Sequence, residues 1–152
     1  MAIVGSVLTY QISSGDLSAN VADDQSPYKI MNTSGASEVA LAEHLTSVDA
    51  KMFGAYWCPH CHDQKELFGR QAARKINYIE CDPQGPKANP QACTDAKIKG
   101  FPSWIVKGKI VSGTQSLQTL SQMSGYTGQQ EFKNKVAGPV APPEGAQAPP
   151  QS

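Results

Sequence analysis

Val39, Leu41, Leu45 and Val48 recur at short mixed spacings, with Glu38, Glu43 and His44 between them. That pattern predicts an amphipathic helix over 37–48, with Ser34 or Ser37 as its N-cap. The run 52–57 is apolar, and 50–57 reads as a strand. Residues 58–75 read as a helix with Leu67, Phe68 and Ala72 on its apolar face, and 76–81 as a second strand. Pro83, Gly85 and Pro86 make 82–89 a loop. Pro90 opens a short helix to 98. Residues 103–107 and 109–112 read as strands joined by a tight turn at Gly108. Residues 116–124 form a helix stopped by Gly125, and 127–136 has room for a last turn or short helix. Short strands alternating with helices and finishing in a hairpin predict an α/β fold, a central mixed sheet with helices on both faces. No internal repeat is found.

The ends differ from this pattern. Residues 137–152 are mostly Pro, Ala, Gly and Gln, with one charge at Glu144, and read as a disordered tail. Residues 1–10 are apolar but far shorter than the roughly 20 residues that span a bilayer. They read as a strand or loop, or as the trimmed end of a transmembrane helix. Residues 11–32 are rich in Ser, Asp, Gly and Asn and read as a polar linker. The expected division is therefore 1–32 as helix end and linker, 33–136 as the folded domain, and 137–152 as tail.

Composition narrows the function. Thirteen basic and thirteen acidic residues cancel over 152 positions, so no net positive field draws in nucleic acid or an anionic membrane surface. The cysteines are Cys58, Cys61, Cys81 and Cys93, two close pairs. An even count so arranged favours an oxidising compartment.

Cys58-Pro59-His60-Cys61 carries the chemistry. A strand ends in two thiols two residues apart and turns straight into a helix. At a helix N-terminus, unpaired N–H groups and the dipole favour a thiolate on Cys58. Cys61 lies one turn on and can close the disulfide. In this reading Cys58 is the exposed nucleophile and Cys61 the buried resolver. Cys58 to His62 also fits the Cys-x-x-Cys-His haem attachment pattern, but the strand before it and Gly100-Phe101-Pro102 after it have no role there. A zinc site using the four cysteines, or His60 and His62, meets the objection that eleven residues separate Cys81 from Cys93, which is no short knuckle. No metal is expected. Cys81 and Cys93 read as a structural disulfide pinning the Pro/Gly loop, with an electron relay to Cys58–Cys61 as the alternative.

Tyr56-Trp57-Cys58-Pro59-His60-Cys61 and Lys99-Gly100-Phe101-Pro102-Ser103 resemble the thioredoxin superfamily, over roughly 36–125. With Glu80-Cys81-Asp82-Pro83, Ala92-Cys93, Ser103-Trp104 and Ser124-Gly125-Tyr126, the chain looks like the thioredoxin-like domain fused to bacterial and plant vitamin K epoxide reductase homologues. The resemblance implies a thioredoxin-like fold and a cis Pro102 beside the redox pair, leaving the Phe101 backbone open to an extended substrate. Trp57, Phe101 and Pro59 would form an apolar rim for unfolded protein segments, with Trp57, Phe101 and Pro102 as the substrate-binding residues. Pro59 and His60 resemble the dipeptide of the bacterial disulfide oxidase DsbA and would tune the Cys58 thiolate towards oxidation. The family carries a buried Asp where register places Met52, so the Cys61 proton needs another group or water, with Glu80 a candidate.

The implied function is disulfide formation in exported proteins, on the extracytoplasmic side of a membrane, in a periplasm or thylakoid lumen. Electrons would pass to a fused membrane domain that reduces quinone, with no cofactor in this domain itself. Reductase or isomerase activity on the same fold, or a non-catalytic binding module, are the alternatives.

Overall fold

A computed structural model of the chain describes residues 28–135. The apolar start at 1–10, most of the linker and the tail lie outside the described residues. The order is α1 (Ala36–Ser47), β1 (Lys51–Gly54), α2 (Pro59–Ala73), β2 (Tyr78–Glu80), α3 (Pro90–Asp95), β3 (Ser103–Val106), β4 (Lys109–Ser112) and α4 (Leu117–Ser124). The sheet runs β2-β1-β3-β4. β1 and β2 are parallel, which requires a crossover, and α2 supplies it. β3 pairs antiparallel with β1, and β4 with β3. Lys107 and Gly108 form the two-residue hairpin loop, both at positive φ, as a turn matched to strand twist demands.

Alternation along β1 divides the interior in two. Met52 faces a large core built from Leu41 and Leu45 of α1, Leu67 and Phe68 of α2, Trp104 of β3 and Leu120 of α4. Phe53 faces the other way, into a small core with Cys81 and Cys93 beside α3. The chain thus has the expected α/β, thioredoxin-like architecture, with three helices over one face and α3 on the other. Among the described residues no helix is long and apolar enough to cross a membrane.

Several local expectations change. The N-cap of α1 is Gly35, whose N–H donates to the buried Glu38 carboxylate (3.0 Å). Ser34 is not free to cap α1, because its hydroxyl serves α2: it donates to Phe68 O (2.7 Å) and accepts from Ala72 N–H (2.8 Å). That service is needed because α2 is not one unbroken helix. Gly69 sits at φ 79°, ψ 167°, and the segment before α1 runs through the break. A Cβ on Gly69 would lie 2.6 Å from Ser34 N, so glycine is required both for its backbone angle and for this close approach. Glu66 secures the same segment by accepting from the N–H groups of Met31 and Asn32. No helix or strand forms over 127–135; Phe132 is buried instead, and Asn134 N–H donates to Glu38 (2.8 Å).

Candidate active site

β1 delivers the chain to the site and α2 carries it away. Cys58 N–H donates to Ala55 O (3.0 Å), which turns the backbone after β1. Cys58 is extended (φ −76°, ψ 117°) and is the N-cap of α2, with Pro59 at the first helical position, where its missing N–H costs nothing. Cys61 N–H donates to Cys58 Sγ at 3.3 Å, so the sulfur does the work of a capping oxygen. Both thiols are free. Cys58 is only 5% exposed and Cys61 2%. The expectation of an exposed Cys58 is thus corrected: accepting the Cys61 N–H turns its side chain inward.

The two thiols are not equivalent. Burial pushes the Cys61 thiol well above the ordinary thiol range, and its hydrogen bond with Cys58 adds to this, against smaller opposing effects of the Ala55 backbone and Lys65. Cys61 rests over Gly54, where an added Cβ would stand 2.8 Å from Cys61 Sγ and 3.1 Å from the Tyr78 hydroxyl oxygen. Burial and the nearby Glu80 hold the Tyr78 hydroxyl far above the ordinary phenol range, so it stays protonated and donates to Glu80 Oε2 at 2.9 Å. Met52 is fully buried in β1, as the register anticipates.

Around the thiols, Trp57 is 48% exposed and meets Phe101 edge-on, with ring centroids 6.3 Å apart. Its indole N–H donates to Asp82 Oδ2 (2.7 Å). The Gln84 N–H and then the Trp57 indole lower the Asp82 pKa. Pro102 is buried and follows a cis peptide bond from Phe101. Pro59 and His60 are exposed; the His60 ring lies 3.5 Å from Asp63 Oδ2, so the donor to Cys58 Sγ is backbone rather than imidazole. Phe101 packs against the core that holds the thiol pair, and Trp57, next to Cys58 in the chain, meets its ring. Cys81 and Cys93 are joined by a disulfide in the small core, on the other sheet face from Cys58 and Cys61. Among the described residues no three His, Cys, Asp or Glu side chains converge as a metal ion needs.

Reading the sequence misses three contributors. Gln64 is fully buried and ties α2 to Trp104 and Gln115. Its signal was present, since it shares a helical stripe with Leu67 and Phe68. Tyr78 stands two residues from Glu80 on β2, hence on the same face. Asp82 carries no local sequence signal for its bond to Trp57, twenty-five residues away.

On this thioredoxin-like fold, a free Cys-x-x-Cys pair at a helix N-terminus has the geometry to cycle between dithiol and disulfide. No family model matches the chain. Over 131 residues it is 41% identical to the thiol-disulfide oxidoreductase LTO1 of Arabidopsis thaliana, a match that takes in 82% of this chain and 35% of that protein. The chain spans about a third of the length of this curated relative.

Proposed function

We propose that this chain forms disulfides in exported proteins and passes the electrons to a membrane-embedded, quinone-reducing domain like vitamin K epoxide reductase, fused upstream. Its place is then the extracytoplasmic side of a membrane, periplasm or thylakoid lumen, and the quinone belongs to the partner domain. The observation that carries the reading is the asymmetric pair: Cys58 caps α2 and receives a backbone N–H, while Cys61 beneath it keeps its proton. A substrate thiolate attacks Cys58 of the disulfide form, Cys61 leaves with the electron pair and takes up a proton, and the substrate's second thiolate then displaces Cys58. Trp57 and Phe101 offer apolar surface to an unfolded segment. Cys81–Cys93 is a structural tie, supported by its separate core on the other sheet face.

The test is single-turnover transfer. The chain, oxidised at Cys58–Cys61, is mixed with a reduced, unfolded two-cysteine protein, and substrate thiols are counted. One disulfide gained per chain reduced is the expected result; no transfer would sink the reading. A reduction potential near about −270 mV would mark a reductase instead.

A further inference from the structure

We propose that Tyr78 and Glu80 form the proton-accepting unit for Cys61 when this thiol resolves a mixed disulfide held at Cys58. The inference rests on the oxidoreductase reading above and adds residues on β2 to it. Cys61 is almost fully buried and holds its proton tightly, yet it must lose that proton to attack. The acceptor has to lie within direct or one-water reach.

Gly54 leaves the necessary opening. A point just above it lies 2.8 Å from Cys61 Sγ and 3.1 Å from the Tyr78 oxygen, so sulfur and oxygen are no further apart than those two distances together. Tyr78 O–H in turn donates to Glu80 Oε2. Glu80 is a buried acid, 3% exposed, placed with care: its Oε1 accepts the Asp82 N–H (2.9 Å), and its backbone carbonyl accepts from Asn89 N–H (2.8 Å). Gly85 packs so closely on it that a Cβ there would stand 2.5 Å from Glu80 Cγ. The loop between the two cysteines of the second disulfide thus closes over the carboxylate. The other ionisable groups facing this unit are Cys58, Lys65 with its ammonium 4.0 Å from the Tyr78 ring centroid, and Asp82.

In the step itself the Cys61 S–H bond breaks. Its proton moves to the Tyr78 oxygen, directly or through one water, as the Tyr78 proton passes to Glu80. The Cys61–Cys58 bond forms, the bond from Cys58 to the partner's sulfur breaks, and the electron pair leaves on the partner as a thiolate. The oxidant is the partner's disulfide. When a substrate opens the Cys58–Cys61 bond, the proton returns by the same route. Tyr78 is the member of the pair within one-water reach of the reacting sulfur; Glu80 acts through it as a positioning residue.

The experiment follows the reduced chain reacting with an aromatic disulfide, dithiobis(nitrobenzoate). The first coloured thiolate reports attack by Cys58 and the second, independent of reagent concentration, reports attack by Cys61. Glu80→Gln keeps the shape of the side chain, and Tyr78→Phe removes only the oxygen. Each is expected to slow the second phase about tenfold or more at neutral pH, to leave the first within about twofold, and to converge on wild type as pH rises. A second phase that keeps its rate, or speeds up because a negative neighbour is gone, overturns the proposal, as does equal slowing of both phases. A missing first phase in the wild type would instead overturn the oxidoreductase reading.

Discussion

Gln64 is fully buried, yet its amide is occupied on both sides. Its Oε1 accepts from Trp104 Nε1 (3.1 Å) and Gln115 N–H (2.7 Å), and its Nε2 donates to Gln115 O (3.0 Å). This amide locks the cysteine-bearing helix to β3 and to the turn before α4. Gln64→Leu strands three buried polar groups at about 1–3 kcal/mol each, and is expected to lower the unfolding free energy by about 3 kcal/mol. Urea denaturation measures it, and a loss below about 1 kcal/mol contradicts the account. Cys61 gives a pH dependence. Its folded pKa is raised by burial, so its stabilising contribution is complete below the ordinary thiol value and is lost as pH rises above it. Between about pH 8 and about pH 10, the reduced chain is expected to lose more thermal stability than its Cys61→Ser variant. Equal losses in the two would contradict this. At this scale the sequence exposes Cys58 and Cys61 through their spacing alone. It places Gln64 on the buried stripe of α2 and Tyr78 on the face of Glu80, but hides their partners and the whole role of Asp82, which only the fold brings together.

Among the elements, α2 and the loop after β2 decide the site. The apolar stripe of α2 is visible in the sequence, but the break at Gly69 is not, because a lone glycine in a helical pattern is ordinarily tolerated at modest cost. What makes it a break is the segment of Ser34 passing through it. The N-cap expectation for α1 fails at Ser34 because its hydroxyl is engaged with α2, and at Ser37 because it lies inside the helix. The loop 82–89 is legible from Pro83, Gly85 and Pro86, and its closure by Cys81–Cys93 from the cysteine count. Closing a loop of this length contributes about 3 kcal/mol in the chain-entropy model. Cys81→Ala with Cys93→Ala is therefore expected to lower the melting temperature while Cys58–Cys61 still oxidises substrate thiols in a single turnover. Unchanged stability with lost oxidation would assign the second pair to electron relay.

For the molecule as a whole, strand and helix order predicts the mixed sheet, and the resemblance to thioredoxins supplies what order alone does not: the cis peptide bond before Pro102. The chain folds so that one core holds the free Cys58–Cys61 pair and another holds the closed Cys81–Cys93 disulfide. The central claim is that Cys58 exchanges with substrate and Cys61 resolves. It is tested most directly by incubating the Cys61→Ser chain with an oxidised two-cysteine substrate and resolving the products by non-reducing electrophoresis and peptide mass mapping. A mixed disulfide at Cys58 is expected to accumulate, and to be lost when Cys58 is also replaced by Ser. Adducts at Cys81 or Cys93 instead, or no adduct at all, would contradict it.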